Sequence, residues 1–208
     1  MQATGACVSR PTYVNSSAIL EAMPETKGEV VRRPMAEASR ARRSVEERLG
    51  LRFPRLLALA GRIVWRQPSR RLRRTAVHRF LGLAWASFNR DDYEAMFMLY
   101  HPHAESVGAD VWGTIGAEMR THGRAERLAY QRGLRAEWET LRFEPEEVIG
   151  IDRDHLVSTG RMKGMGRASG VTVDTPWAVL LTFEDGTVRR EQIFLDEAEA
   201  LEAARLSE

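Results

Sequence analysis

The sequence contains little of what holds small secreted domains together or carries covalent catalysis. Cys7 is the single cysteine among 208 residues, so an intrachain disulfide is excluded and a reducing compartment is indicated. The chain has no G-x-S-x-G motif, and Cys7 lies in an unpatterned N-terminal stretch. These absences argue against catalysis by a serine, cysteine or lysine nucleophile.

Motifs for cofactors and metals are also missing. There is no Walker or Rossmann glycine pattern, and the glycines between Gly164 and Gly170 fall between predicted strands instead of before a helix. His101 and His103 stand two residues apart without a third ligand at suitable spacing, an arrangement that rarely binds zinc. We therefore predict neither a cofactor nor a metal site.

Long apolar segments are absent as well. The most apolar run, residues 56–65, is interrupted by Gly61 and Arg62, whereas a membrane-spanning helix needs roughly twenty apolar residues. The first thirty residues lack the continuous apolar segment of a secretion signal. We expect a soluble, cytoplasmic protein.

Positive charge is concentrated in one part of the chain. The formal net charge is only +2, but residues 32–74 contain fourteen arginines and few acidic residues. Residues 54–67 place apolar side chains on one helical face and arginines elsewhere. We predict that this helix packs on the following domain or on a partner subunit. Contact with an anionic membrane surface is the less favoured alternative, and nucleic acid is not expected because no stacking aromatics accompany the arginines.

The composition divides the chain into three segments. Residues 1–43 mix Ser, Thr, Pro, Ala and Arg without a period, which predicts a poorly ordered tail, and Met35 is an alternative start. Residues 44–71 form a basic helical extension that Ser44 can cap. Residues 72–208 form one domain, and a hydrophobic content of 43% is sufficient for its core.

Helical periodicity comes first along the domain and strand periodicity follows. Residues 70–89, the segment from Tyr93 to Tyr100 and residues 124–138 have helical spacing, while residues 110–122 are predicted as a loop with some helical turn. The predicted strands are 104–107, 143–149, 156–166, 171–183 and 188–195. A helix over Glu197–Arg205 follows, capped by Asp196. This order predicts an α+β fold in which a curved antiparallel sheet wraps against helices.

Two stretches resemble the SnoaL-like proteins of the ketosteroid-isomerase/NTF2-like superfamily. They are Phe88–Met96 with Leu99–Pro102, and the FEDG turn with the FLDEAEALEAA segment within residues 183–204. The resemblance covers roughly residues 72–206. It implies an NTF2-like cone with a pocket at its wide end, and a homodimer. It implies no single activity, because this fold hosts isomerases, cyclases, hydrolases, dehydratases and proteins without catalysis.

The catalytic residues of ketosteroid isomerases are not matched. Their tyrosine, base and strand aspartate fall on Ala84, Gly108 and Pro176. Proton abstraction beside a carbonyl still needs a carboxylate. Asp174 lies two residues before the expected strand aspartate, and an even offset in a strand keeps the same face. Asp174 is therefore the first candidate for an acid–base or anchoring carboxylate, and Asp110, two residues after the expected base, is the second.

Aromatic side chains are the candidates for the wall of the pocket, although such residues are more often ordinary core. The candidates are Trp85, Tyr100, Trp112, Trp138, Trp177 and Phe194. We predict a small apolar molecule as partner, and a cofactor-free isomerase or cyclase that acts on an apolar carbonyl compound. The alternative is a non-catalytic binding or dimerisation protein. The apolar face formed by Val179, Leu181 and Phe183 supports the homodimer.

Overall fold

The computed structural model describes residues 31–35, 42–108 and 119–206, in which helices enclose one face of a curved sheet. The elements are β1 (Val31–Pro34), α1 (Val45–Arg52), α2 (Pro54–Arg66), α3 (Arg70–Phe88), α4 (Tyr93–Met96), β2 (Tyr100–Gly108), β3 (Met119–His122), α5 (Arg124–Ala136), β4 (Trp138–Gly150), β5 (His155–Gly166), β6 (Thr172–Glu184), β7 (Thr187–Phe194) and α6 (Glu197–Arg205). The α+β fold predicted from the periodicity is confirmed.

The described strands form one sheet in the order β1-β4-β5-β6-β7-β2-β3. β2 runs parallel to β7, and every other neighbouring pair is antiparallel. The register of β4 against β5 shifts between Pro145 and Glu147, opposite Gly160. A Cβ atom at Gly160 would lie 2.2 Å from the carbonyl oxygen of Glu144, so only glycine allows the two strands to approach this closely at the bend.

The sheet separates two apolar cores. The inner face packs against α3 and its neighbours, and its large buried side chains are Trp65, Phe80, Leu81, Trp85, Phe88, Phe97, Trp138, Phe143, Trp177 and Phe183. On the outer face, Ala178 and Leu180 of β6 lie beneath Ala200 and Ala204 of α6. Successive residues of β6 thus alternate between the two cores, as the geometry of a strand requires.

This alternation corrects one basis for the predicted homodimer. Val179, Leu181 and Phe183 are buried in the inner core of the same chain, so they do not form an exposed apolar face. Their apolar character is explained by burial against α3 and α2. Phe194 packs instead with the outer core beneath α6.

Part of the segment predicted to be a poorly ordered tail forms a strand, contrary to the prediction for those residues. Val31–Pro34 forms the edge strand β1 and pairs antiparallel with residues 147–150 of β4. The guanidinium of Arg32 donates to Glu147 at 2.8 Å and to Glu197 at 2.5 Å. Backbone pairing with a sheet edge can order a segment that has no apolar period of its own, which explains why the sequence pattern did not reveal this strand.

The basic extension packs on the domain, as predicted. Glu47 of α1 is fully buried, forms a capping box with Ser44, and accepts hydrogen bonds from Ser87 at 2.5 Å and from Arg90. Trp65 of α2 stacks on Phe183 with 4.8 Å between ring centroids. The extension is therefore continuous with the inner core. None of the described helices is both long enough and apolar enough to cross a membrane.

Candidate functional site

A small cavity lies in the inner core between α3, α4, β2, β6 and β7. Its wall consists of Phe80, Leu81, Ala84, Trp85, Met96, Tyr100, Val179, Leu181 and Glu191. The cavity has a volume of about 20 Å³, counted as the space in which the centre of a water-sized sphere can lie. This is enough for about one water molecule. Most of the wall is apolar, so the polar groups of Glu191, Tyr100 and Trp85 stand out.

Glu191 is the carboxylate of this cavity, and it is only 2% exposed. The hydroxyl of Tyr100 donates to Glu191 Oε1 at 3.0 Å. Arg127 Nε donates to Glu191 Oε2 at 2.8 Å, and Arg127 Nη2 lies 3.4 Å from Oε1. We refer to Glu191, Tyr100 and Arg127 as the Glu191 cluster. A fork of this kind is the strong geometry for pairing a guanidinium with a carboxylate.

Helix α5 carries Arg127 into the core. Arg127, Gln131 and Leu134 are the buried residues of this helix, and their spacing of four and then three residues places them on one face. Arg127 Nη1 donates to Gln131 Oε1 at 2.9 Å. The guanidinium also lies 4.9 Å from the ring centroid of Phe97, within cation–π range. Both contacts orient the guanidinium toward Glu191.

Burial and charge act in opposite directions on the pKa of Glu191. Desolvation raises the pKa of this carboxyl. The charge of Arg127 and the hydrogen bonds from neighbouring side chains lower the pKa by more in total, so it lies below the ordinary value. Desolvation, followed by the nearby Glu191 charge, holds the pKa of Tyr100 well above its usual range. At neutral pH the cavity therefore presents an ionised carboxylate and a protonated phenol.

These protonation states define what the cluster can do chemically. The carboxylate accepts one hydrogen bond from Tyr100 and two from Arg127, so about one lone-pair site, on Oε2, is left for a further donor. The phenol is a donor that keeps its proton. Because the pKa of Glu191 is lowered, the carboxyl is a weak base in the resting protein. The arrangement is better suited to holding a hydrogen-bonding ligand than to fast proton abstraction.

Glu191 faces inward because of a β-bulge. Phe183 of β6 pairs with Val188 of β7, whereas the preceding Thr182 pairs with Arg190, so one extra residue is inserted in β7. Val188 and Glu191 are consequently both buried although they are three residues apart. Simple alternation from Val188 would place Glu191 on the outer face, and sequence reasoning missed it for that reason. Bulges often re-aim a side chain beside a functional site.

Asp174, the first of the two predicted carboxylates, is not among the residues that line the cavity. Asp174 is on the exposed end of β6, and its Oδ1 accepts a hydrogen bond from Arg161 Nε at 2.7 Å. Trp177, three residues later, faces the inner core, so the face that carries Asp174 points away from it. The alternation of apolar residues along β6 already predicts that Asp174 and Trp177 lie on opposite faces of the strand. Asp110 lies outside the described residues.

The five predicted aromatic residues that the structure describes divide into three groups. Trp85 and Tyr100 line the cavity. Trp177 and Trp138 are buried in the surrounding core, where Trp177 contacts Trp85 with 4.4 Å between ring centroids. Phe194 does not belong to the pocket, because it packs with the outer core. Trp112 lies outside the described residues.

His101 and His103 lie at the surface and both contact Arg189. Arg189 Nη1 lies 2.8 Å from His101 Nδ1 and donates to the carbonyl oxygen of His103 at 3.1 Å. Among residues 31–35, 42–108 and 119–206, no three His, Cys, Asp or Glu side chains are grouped so that they could hold a metal ion.

A curved, mainly antiparallel sheet with N-terminal helices over its inner face and a cavity between them defines an NTF2-like fold. The sequence agrees with this class, because the SnoaL-like domain model matches residues 77–191. The chain belongs to the SnoaL-like domain family.

Comparison with solved structures shows the same fold. TerC, crystallised with polyporic acid, is 22% identical with a TM-score of 0.50, and the match covers 60% of this chain and 94% of TerC. An NTF2-like protein of unknown function from Burkholderia pseudomallei is 19% identical with a TM-score of 0.51, over 60% of this chain and 93% of that one. No curated protein gives a sequence match to this chain. These identities are low, so the structural likeness establishes the fold alone.

Proposed function

We propose that this SnoaL-like protein binds one small, largely apolar molecule in the inner core, with a polar group of the ligand facing Glu191. The observation that carries the proposal is an ionised carboxylate buried at the edge of an apolar cavity. Burying an ion pair stabilises a fold little, and apolar residues of similar size often do as well or better. A binding role accounts for a carboxylate and guanidinium in this position.

The wall of the cavity indicates the chemistry of the ligand. Phe80, Met96 and Leu181 supply apolar and aromatic surface, which suits a ring system. The carboxylate of Glu191 accepts hydrogen bonds, so it favours a ligand with a hydroxyl or N–H group. The indole N–H of Trp85 has no hydrogen-bond partner among the described residues, which leaves a donor for a ligand oxygen. We infer a hydroxylated or carbonyl-bearing cyclic molecule.

Binding of such a ligand requires the cavity to open. Its present volume of about 20 Å³ holds about one water, so a ring must displace wall side chains. Met96 is the adaptable part of the wall, because an unbranched thioether side chain changes rotamer easily. The ligand would therefore fill space that Met96 and Phe80 occupy in the closed structure.

A second candidate function is cofactor-free isomerisation or cyclisation of an apolar carbonyl compound. The contact between Tyr100 and Glu191 supports it, because a phenolic donor beside a carboxylate is the pair that proton abstraction next to a carbonyl requires. In this mechanism Glu191 would take the proton and Tyr100 would donate to the developing oxyanion. The lowered pKa of Glu191 makes binding the better supported function.

Calorimetry with two matched probes tests the binding proposal. We expect 2-naphthol to bind about tenfold more tightly than naphthalene, because only 2-naphthol can donate to Glu191. Tyr100→Phe keeps the pair of Arg127 with Glu191 and should alter the affinity for 2-naphthol, whereas Asp174→Asn should leave it unchanged. Equal affinity for both probes in the wild-type protein, or no binding of either, would count against the proposal.

A further inference from the structure

Helices α1 and α2 carry a second apolar surface that faces away from the domain. Its members are 46–62% exposed although each is a large hydrophobic residue. We call this surface the outer ridge, and it consists of Val45, Leu49, Phe53, Leu56, Leu59 and Ile63. Single exposed apolar residues are ordinary, but a contiguous group of them marks an interaction surface.

The outer ridge consists of one row of exposed apolar side chains on each of the two helices. Val45 and Leu49 are four residues apart on α1, and Leu56, Leu59 and Ile63 recur at spacings of three and four on α2. Such spacings place side chains on one side of a helix. The ridge is therefore a row of side chains on the surface of the helical pair.

Helix α2 is already anchored through its other side. Leu57 and Trp65 pack into the inner core, and Trp65 Nε1 donates to Asp154 at 2.7 Å. At its middle, a Cβ atom on Gly61 would lie 3.0 Å from the carbonyl oxygen of Gly186. One face of α2 therefore packs on the domain, and the outer ridge on its other face stays exposed. A helix with two apolar faces fits a role at two interfaces.

The charge along the α2 part of the ridge is positive, whereas on α1 the exposed Glu46 lies next to Val45 and pairs with Arg79. Residues 52–74 contain eight arginines and no acidic residue. Arg55, Arg62 and Arg66 recur at spacings of seven and four along α2, so they form a row beside the ridge. The guanidinium of Arg66 lies 3.7 Å from the carboxylate of Asp185, at the long end of the range for an ion pair. An aliphatic row bordered by arginines is the arrangement of helices that lie in the interface of anionic bilayers.

We propose that the outer ridge docks the protein on an anionic lipid bilayer, with the aliphatic side chains in the acyl boundary and the arginines at the headgroups. Charge complementarity selects this occupant. A second copy bound through the same ridge would bring two arginine rows together, and like charges repel across an interface. Nucleic acid would satisfy the arginines but would leave Leu59 and Ile63 without a suitable partner.

Vesicle flotation with the full chain tests the proposal. The probes are vesicles with about 30% phosphatidylserine and vesicles of phosphatidylcholine alone, at about 0.1 M salt. We expect binding to the anionic vesicles to exceed binding to the neutral ones by about tenfold or more and to weaken at high salt. The double variant Leu59→Ser/Ile63→Ser and the double variant Arg55→Gln/Arg62→Gln should each lower this binding about tenfold without lowering Tm.

A matched control separates the ridge from apolar exposure in general. Val171 is 60% exposed and lies outside α1 and α2, so Val171→Ser should bind vesicles like the wild type. The proposal is overturned if the wild type binds neither kind of vesicle. It is also overturned if Leu59→Ser/Ile63→Ser dissociates a dimer in light scattering while vesicle binding persists, or if the arginines bind duplex DNA and not lipid.

Discussion

Replacing Arg127 by Met is the perturbation that examines the Glu191 cluster most sharply. Methionine fills much of the volume of the arginine side chain but removes the guanidinium that pairs with Glu191 at 2.8 Å. Glu191 then stays buried in the core, and Tyr100 is the member of the Glu191 cluster that still donates a hydrogen bond to its carboxylate. A buried carboxylate without its cation carries most of its desolvation penalty.

The expected loss of stability is large at neutral pH. Side chains of Arg127 and Glu191 are 5% and 3% exposed, so solvent screens their interaction little. Removing one partner of such a buried pair destabilises a protein by about 3–5 kcal/mol. For a chain of this size we expect Tm at pH 8 to fall by about 10 °C.

The pH dependence of the variant should be opposite to that of the wild type. In the wild type the folded pKa of Glu191 is lowered, so its contribution to stability is present above the unfolded pKa of about 4.3 and is lost as the pH falls through the folded value. Without Arg127, desolvation is opposed only by hydrogen bonds such as the one from Tyr100, and we expect the folded pKa of Glu191 to be raised. Stability of the variant should then increase as the pH falls from 8 toward 5, by about 1.4 kcal/mol per pH unit below the raised pKa.

Urea denaturation at pH 8 and pH 5 measures both effects. A second variant, Arg127→Met with Glu191→Gln, removes the charge as well and should be more stable at pH 8 than Arg127→Met alone. The control is Arg161→Met, which breaks the exposed pair with Asp174 and should change stability by at most about 1 kcal/mol. Between pH 8 and pH 5 Glu191 contributes no change to the stability of the wild type, because both values lie above its unfolded and folded pKa. The reasoning is refuted if Arg127→Met, compared with the wild type, is no more stable at pH 5 than at pH 8.

Three further predictions concern the helices and turns that frame the site. Gly186→Ala should destabilise the protein by more than about 1 kcal/mol in urea denaturation, because φ is 78° and a Cβ atom would lie 2.4 Å from the carbonyl oxygen of Gly61. Gly133→Ala, in helix α5 with open space around it, should instead raise stability by up to about 1 kcal/mol. Glu47→Ala should cost about 3 kcal/mol by the same assay, since it removes a fully buried carboxylate that binds Arg90, and an unchanged midpoint would contradict the buried network.

The pattern of the sequence was sufficient for most of the fold. Helix Glu197–Arg205 and its Asp196 cap are found as predicted, and the four strands before it form the expected meander. These elements have strong local signals, namely alternation, a turn with glycine and a capping residue. The strand at Val31–Pro34 has no such signal, because it is ordered by pairing with β4.

The site was harder to predict than the fold, and for a physical reason. Trp85 and Tyr100 line the cavity, and large aromatic side chains at helical or strand spacing are a signal that the sequence carries; their contact with a ligand stays a prediction. Glu191 was not predicted as a site residue, because its inward direction depends on the bulge in β7. Arg127 was not predicted either, because a charged helical residue is exposed unless a buried partner exists, and its partner is 64 residues away in sequence.

Native mass spectrometry of the full chain purified from its own host tests the central claim, that Glu191 anchors a ligand, most directly. The account predicts a bound small molecule at about one per chain in the wild type, retained in Asp174→Asn and reduced about tenfold in Glu191→Gln. Tyr100→Phe removes one donor to Glu191 but keeps the ion pair of Arg127 with Glu191. A change in the amount of bound ligand in this variant therefore reports on binding and not on loss of folding. A wild-type protein that carries no molecule and binds neither 2-naphthol nor naphthalene would contradict the claim.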